Sequence, residues 1–182
     1  MDPRTADQSR PWLAVGRELT DLLDRVDPDQ FDAFAREAEA ADHRWFFTGQ
    51  GRSGLSAQMA AMRFMHLGRE SHVLGEATAP SVRAGDRLVV VSGSGRTPVG
   101  VSFARIAKDE GARVLLVTYT PDSPLGELAD TVLVAPVVSS EQLMGNLFEQ
   151  SALLLLDAVA MHVAERDPAA KAQMALRHTN MQ

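Results

Sequence analysis

The chain has 182 residues, the length of one domain, and its 45 % apolar and 23 % charged residues are ordinary globular values. It has no cysteine, which excludes disulfide scaffolds, thiolate metal sites and cysteine nucleophiles. A net charge of -6 and an aromatic content of 5 % argue against nucleic acid or an anionic membrane as a partner. They leave open a small phosphate ligand, which needs only a local group of donors.

No basic segment leads into an apolar run at the start of the chain, so we expect no secretory signal and a cytoplasmic protein. The most apolar stretch, residues 152–163, is interrupted by Asp157. It is shorter than the roughly 20 residues that a membrane-spanning helix needs. This stretch therefore predicts a buried core helix.

Two helices are predicted at the start of the chain. Apolar residues recur at helical spacing over residues 12–26, and Asp27-Pro28 then breaks the pattern. Pro28 suits the first turn of a second helix that runs to about Ala41. We assign this helical segment, about residues 12–41, and a polar tail, about residues 168–182, to one single domain that spans the whole chain.

Strands and helices alternate along the rest of the chain. The predicted strands are 45–47, 71–74, 88–91, 114–118 and 131–134, and the predicted helices are 53–67, 97–110 and 141–165. Such alternation predicts a parallel sheet with helices on both faces. We expect an α/β fold of three layers, α/β/α, with a five-stranded parallel flavodoxin-like sheet. The ligand of such a sheet lies beyond the carboxyl ends of its strands.

Two glycine-serine turns follow predicted strands and open predicted helices. They are Thr48-Gly49-Gln50-Gly51-Arg52-Ser53-Gly54 and Ser92-Gly93-Ser94-Gly95-Arg96-Thr97-Pro98. Glycines such as Gly51 and Gly93 let the backbone approach a ligand closely, and the N–H groups of a helix's first turn bind anions. Thr97 followed by Pro98 matches an N-cap with proline at the first helical position. One such turn is usually only a cap, but two at the same sheet edge favour a shared small, anionic, hydroxylated ligand.

The first turn also has another interpretation. Gly49-x-Gly51-x-x-Gly54 fits the dinucleotide-binding fingerprint, and Glu76 lies about where the ribose-binding acid would fall. That interpretation, which makes the chain a nicotinamide-dependent enzyme, leaves the second turn unexplained. The turn is not a Walker A loop, because Leu55 stands where lysine would be needed.

Several segments resemble the 6-phospho-3-hexuloisomerases, a family built on the SIS (sugar isomerase) domain. The two turns resemble the SIS domain in general. The more specific similarities are in Ala61-Met62-Arg63-Phe64-Met65-His66-Leu67-Gly68, Gly75-Glu76-Ala77-Thr78-Ala79-Pro80, Pro121-Asp122-Ser123-Pro124-Leu125, Met144-Gly145-Asn146-Leu147-Phe148-Glu149-Gln150 and Arg177-His178-Thr179-Asn180-Met181-Gln182. The resemblance also offers a competing account of Glu76, as part of the exit from the second strand.

The resemblance implies an isomerase that interconverts 3-hexulose 6-phosphate and fructose 6-phosphate, in formaldehyde fixation by the ribulose monophosphate pathway. It implies a tetramer, with a homodimer as the other possibility, and neither a metal nor an organic cofactor. Carried over to this chain, it assigns Glu149 as the catalytic base. The residues that it assigns to phosphate binding are Ser53, Ser92, Ser94 and Thr97.

Three further residues have two interpretations each. Arg52, inside the first turn, would contact the sugar phosphate or a partner subunit. His66 is a candidate proton shuttle, yet a cation at the end of a helix is also favoured by the helix dipole. His178 would assist ring opening in a neighbouring subunit's pocket, or it belongs to a disordered tail. Glu149 itself also fits a first-turn glutamate that the helix dipole favours.

The chain departs from the family pattern in three places. Arg96 stands where many members have glutamate, Asn146 replaces a usual threonine, and the stretch between Val134 and Met144 is shorter than in several relatives. The Arg96 guanidinium would strengthen phosphate binding or point to solvent. These departures keep open an SIS isomerase for another sugar phosphate and a non-catalytic sugar-phosphate sensor.

Overall fold

The computed structural model describes residues 10–40, 42–167 and 169–181. Its strands are β1 (Arg44–Gly49), β2 (Glu70–Val73), β3 (Arg87–Val91), β4 (Arg113–Thr118) and β5 (Thr131–Val134). They form one parallel sheet in the order β2-β1-β3-β4-β5. All five strands were predicted, and the flavodoxin-like order is confirmed. The chain reverses its direction of travel across the sheet between β1 and β3, which makes their carboxyl ends the expected place for a ligand.

Seven helices are described around this sheet. They are α1 (Pro11–Leu23), α2 (Pro28–Glu39), α3 (Arg52–His66), α4 (Pro98–Asp109), α5 (Pro124–Leu128), α6 (Asn146–Glu165) and α7 (Ala170–Arg177). The start of α2 follows its sequence signal, because the Asp27 carboxylate accepts a hydrogen bond of 2.8 Å from the Asp29 N–H. The predicted end of this helix at Ala41 lies outside the described residues.

Side chains alternate along the strands and so build one core on each face of the sheet. Trp45 and Phe47 of β1 point to the face covered by α1, α2, α3 and α6, where both rings contact Phe64. Phe46, between them, points to the opposite face with Ala104 and Ala107 of α4 and Leu125 of α5. The three-layer α/β/α architecture is thereby confirmed.

Helix α6 is long and apolar enough to cross a membrane by length and composition alone. Nine of its 20 residues are buried, among them Leu147, Ala152 and Val159, which pack in the core beside β1 and β3. The prediction of a buried core helix over residues 152–163 therefore describes its packing correctly.

The structure differs from the prediction at the start of the last long helix, and it contains two helices in the carboxyl-terminal half of the chain that were not predicted. The last long helix begins at Asn146 and not at Glu141, because Met144 adopts a left-handed φ of 53° that interrupts a helix. The polar tail contains α7, which packs against α3. The turn after β4 contains the short α5, whose N-cap Ser123 accepts a hydrogen bond from the Gly126 N–H.

Candidate functional site

The first turn brings the end of β1 and the start of α3 into backbone contact. A Cβ at Gly49 would lie 2.6 Å from the Ser53 carbonyl oxygen, so only glycine fits there. Gly51, with a φ of 58°, is the N-cap of α3 and has no side chain to cap it. The first N–H groups of α3 therefore lack a side-chain partner from the cap residue, as an anion site at a helix start requires.

The second turn is held by β4, the next strand. The Thr118 hydroxyl donates a hydrogen bond of 2.8 Å to the Gly93 carbonyl. Tyr119 lies so close that a Cβ at Gly93 would be 2.6 Å from its ring. Ser92 is buried, whereas Ser94 is exposed and accepts a hydrogen bond of 3.3 Å from the Arg96 N–H. Backbone and hydroxyl groups of this turn are thus fixed at the edge of the sheet.

Thr97 occupies the N-cap position of α4 with Pro98 behind it, as predicted, but its side chain makes no capping hydrogen bond. Its hydroxyl lies instead 3.2 Å from that of Ser92. Thr97 is therefore the N-cap residue by position, as predicted, while its hydroxyl is not used for capping. Because Thr97 does not cap α4, the N–H groups of its first turn lack a partner from the cap residue, and the two hydroxyls lie beside them. This arrangement favours the binding of an anion.

Glu149 lies in the first turn of α6, against the first glycine-serine turn. Its carboxylate accepts a charged hydrogen bond from the Arg52 guanidinium. The Glu149 side chain is 16 % exposed and that of Arg52 is 59 % exposed, so the pair lies at the mouth of the site. Ser56 of α3 donates a hydrogen bond of 3.1 Å to the Glu149 carbonyl and fixes the two helices together.

Phe148 connects the same end of α6 to the second turn. Its ring would lie 3.2 Å from a Cβ at Gly93, and it packs edge-on against Tyr119. A single chain therefore brings together both turns and the carboxylate of Glu149. The convergence joins residues from β1, β3 and the last long helix.

The two histidines lie elsewhere. His66 ends α3, so it is roughly 21 Å along the helix axis from Arg52. It is buried and stacks on His178 with ring centroids 5.5 Å apart, while Arg177 donates a hydrogen bond to its carbonyl. Burial, then the positive charge of Arg63 and then His178, lower the pKa of His66. Within one chain, this histidine pair does not lie beside Glu149.

Glu76 and Arg96, which the sequence analysis singled out, are both exposed at the surface. Glu76 is exposed in the turn after β2. Arg96 is exposed, and its guanidinium donates a hydrogen bond of 3.4 Å to the carbonyl of Asp122 in the turn after β4. Within the described ranges, no group of three or more His, Asp or Glu side chains is arranged to hold a metal ion.

Sequence reasoning missed Ser56, Thr118, Tyr119 and Phe148. Each lies beside a residue that was predicted, and two of them follow from a simple signal. Thr118 ends β4 and Tyr119 follows it, so both stand at the same carboxyl edge as the two turns. Ser56 and Phe148 carry no comparable sequence signal, because their contacts depend on how α3 and α6 dock.

The SIS domain family model matches residues 40–161, which contain both turns, all five strands and Glu149. The fold and this match define the class, and the chain belongs to the SIS domain family. A 3-hexulose-6-phosphate isomerase of Mycobacterium gastri is 40 % identical to the chain over 92 % of the chain and 88 % of the relative. The Bacillus subtilis 3-hexulose-6-phosphate isomerase is 35 % identical over 78 % and 82 %.

A solved structure agrees with these relatives. The crystal structure of a Methanococcus jannaschii protein, from which a molecular function of 3-hexulose-6-phosphate isomerase was inferred, superposes with a TM-score of 0.82. It is 30 % identical and covers 94 % of this chain and 99 % of its own. Within the SIS family, the chain belongs to the group of the 3-hexulose-6-phosphate isomerases.

Proposed function

We propose that this protein converts 3-hexulose 6-phosphate to fructose 6-phosphate. The observation that carries the proposal is the convergence of Glu149 with two uncapped helix starts at one edge of the sheet. The relatives that bear the name of this activity are similar over most of their own length. A carboxylate, hydroxyl groups and backbone donors are what an isomerisation of a sugar phosphate needs.

The phosphate would bind between the two turns. The uncapped first turns of α3 and α4 would supply N–H donors to the phosphate. Ser53, Ser92, Ser94 and Thr97 would add hydroxyl donors, and the backbone of Gly51 and Gly93 would approach the ligand closely. The Arg52 guanidinium adds a positive charge at the mouth of the site. These donors would hold the sugar with its reacting carbons toward Glu149.

Glu149 would move the proton between two carbon atoms of the sugar. The carboxylate removes the C2 proton of the 3-ketose, which leaves a cis-enediolate across C2 and C3. The same carboxylate returns the proton to C3, while the hydroxyl proton passes from O2 to O3 and the ketone forms at C2. The hydroxyl and N–H donors of the turns would stabilise the negative oxygen of the intermediate.

The histidines would act across a subunit boundary. His66 and His178 lie at the opposite end of α3 from Arg52, so in one protomer they do not reach Glu149. An antiparallel contact between two α3 helices would bring this end of one copy beside Arg52 of the other. We therefore propose a homodimer or homotetramer of single-domain chains in the cytoplasm, in which the histidine pair serves a neighbour's site in proton shuttling or ring opening.

A coupled assay tests the function. The substrate 3-hexulose 6-phosphate is made in situ from formaldehyde and ribulose 5-phosphate, and the fructose 6-phosphate formed is measured. We expect turnover by the purified protein without added metal. Binding of the sugar phosphate without turnover would contradict the isomerase and favour a sugar-phosphate sensor, and turnover of a different sugar phosphate only would reassign the substrate.

The variant Glu149→Gln tests the base. It keeps the shape of the side chain but removes its capacity to accept a proton, so kcat should fall by about 10²- to 10⁴-fold with KM changed only a few-fold. Glu165→Gln, at the other end of the same helix, is the matched control and should behave like the unmodified protein. Retained turnover in Glu149→Gln would remove this residue from the reaction.

A further inference from the structure

The segment between β5 and α6 borders the proposed base and projects into solvent. We call residues 138–145 the entry segment. Val138, Leu143 and Met144 are 83 %, 77 % and 98 % exposed, an unusual amount of apolar surface for one loop. The segment ends at Gly145, where a Cβ would lie 3.7 Å from Glu149 Oε1. The end of the segment that follows Leu143 and Met144 therefore lies beside the proposed base.

One side chain of the N-terminal helix α1 fastens this segment. The Glu18 carboxylate accepts hydrogen bonds from the Ser140 hydroxyl at 2.7 Å, the Glu141 N–H at 2.6 Å and the Gln142 side-chain amide at 2.9 Å. The Ser140 hydroxyl in turn accepts a hydrogen bond of 3.0 Å from the Gln142 N–H. Three of these four hydrogen bonds end on one carboxylate more than 120 residues away in the chain, and the fourth links two residues within the segment.

The contact between Glu18 and the entry segment consists of hydrogen bonds and is not part of the packed core. A cavity of 570 Å³ lies between α1 and the segment. Arg17, Glu18 and Asp21 of α1 and Arg25, which follows α1, line it together with residues of the segment. Burial would raise the pKa of Glu18, but its hydrogen bonds to Ser140, Glu141 and Gln142 outweigh this effect and lower it. The charged carboxylate is therefore the form that the segment binds.

We propose that Glu18 is a positioning residue that holds the entry segment in place over the sugar-phosphate site. The proposal rests on the proposed function for the identity of the ligand, but not for the contact itself. A segment already ordered before binding costs the ligand no ordering free energy. Without Glu18 the sugar phosphate would have to order the segment, and its affinity would fall.

The base should keep its position when the segment is released. Glu149 is fixed separately, through its carbonyl to Ser56 and its carboxylate to Arg52, and the adjacent Phe148 packs against the second turn. Loss of Glu18 should therefore raise KM and leave kcat within about threefold, the mark of lost uniform binding. Loss of Glu149 has the opposite signature, so the two roles are distinguishable.

The test compares Glu18→Ala and Glu18→Gln with Asp21→Ala, which removes a carboxylate from the same cavity wall. Hydrogen–deuterium exchange of the backbone amides of residues 139–143, without ligand, should be at least about tenfold faster in Glu18→Ala. The Kd of fructose 6-phosphate should rise about tenfold in that variant. In Glu18→Gln, which keeps one acceptor oxygen, both the exchange rate and the Kd should lie between those of Glu18→Ala and the unmodified chain. Asp21→Ala should match the unmodified chain in both.

Two outcomes would overturn the proposal. One is unchanged exchange of residues 139–143 in Glu18→Ala, which would mean that the segment is held by other contacts. The other is an equal rise in Kd for Glu18→Ala and Asp21→Ala, which would reduce the effect to the charge of the cavity. Failure of the isomerase assay leaves the exchange experiment intact, so the two proposals can fail separately.

Discussion

Arg52 and Glu149 form the central pair of the candidate site, although 97 residues separate them in the chain. The Arg52 guanidinium is hydrogen-bonded to the carboxylate that we propose as the base. A sugar phosphate would offer Arg52 a second anion of greater charge, and a planar guanidinium can divide its donors between the two. Arg52 would thereby orient the base and recognise the substrate.

The substitution Arg52→Lys tests this dual role. Lysine keeps the charge but lacks the planar fork, so kcat/KM should fall about 10- to 100-fold, as expected for one or two charged hydrogen bonds. Arg63→Lys is the matched control on the same helix, since Arg63 pairs with Asp157 at 3.2 Å, away from the turns. The coupled assay measures both, and an Arg52→Lys variant with unaltered kcat/KM would exclude the fork geometry as a requirement.

At the residue scale, the sequence predicted the chemical groups but not their contacts. The serines and threonines of the two turns could be found because glycines and a following helix accompany them. The ion pair of Arg52 with Glu149 and the stacking of His66 on His178 depend on how α3 docks against α6 and α7. Such docking leaves no local signal in the chain.

At the scale of secondary structure, Asp130 connects three elements. Its carboxylate, just before β5, accepts hydrogen bonds from Lys108 of α4 at 2.7 Å and from the Val114 N–H of β4 at 2.8 Å. Burial would raise the pKa of Asp130, but the contacts with Lys108 and Val114 and the charge of Arg113 lower it. The ionised carboxylate therefore stabilises the edge of the sheet.

Asp130→Asn should lower the free energy of unfolding by about 1 kcal/mol at pH 7. Because the pKa of Asp130 is lower in the folded chain, its contribution is complete above its ordinary value of 3.8 and is lost as pH falls through the folded value. The difference in free energy of unfolding between the unmodified chain and Asp130→Asn should therefore become smaller below about pH 3.8. Urea unfolding at several pH values measures it, with exposed Asp109→Asn as control, and a gap that stays constant in acid would contradict the assignment.

The strands were easy to predict and the start of α6 was not. Continuous aliphatic runs such as those of β3 and β4 identify strands buried on both faces of a sheet. The same apolar signal continues through Leu143 and Met144, and it suggested a helix where the backbone is left-handed and the side chains are exposed. A hydrophobic pattern predicts which residues are buried. It therefore gives a wrong helix start where apolar residues are exposed at the surface.

At the scale of the whole molecule, α3 presents an apolar stripe outward. Leu55, Met59 and Met62 are 58 %, 48 % and 49 % exposed and lie at the spacing of one helix face. Met161 of α6 is exposed as well, and α6 packs beside α3. This face supports our proposal that a second copy of the chain packs against α3 and brings its histidine pair to the site.

Met59→Glu combined with Met62→Glu should convert the assembly to monomers, because burying two carboxylates in an apolar interface is unfavourable. If the partner subunit's His66 serves the site, activity should fall with assembly. Ile106→Glu, an equally exposed position on α4 in the opposite layer, should leave both unchanged. Light scattering and the coupled assay decide, and an unmodified chain that is monomeric at micromolar concentration would contradict the proposal.

Helix α6 supplies nine buried residues to the protein interior and also carries Glu149. During synthesis this helix leaves the ribosome after every strand of the sheet, so a nascent chain can present both glycine-serine turns before any base exists. Refolding has the same order of dependence, since Glu149 meets Arg52 only when α6 docks. After dilution from denaturant, turnover should therefore return only when α6 has docked and the core is complete. An early collapsed form should be inactive.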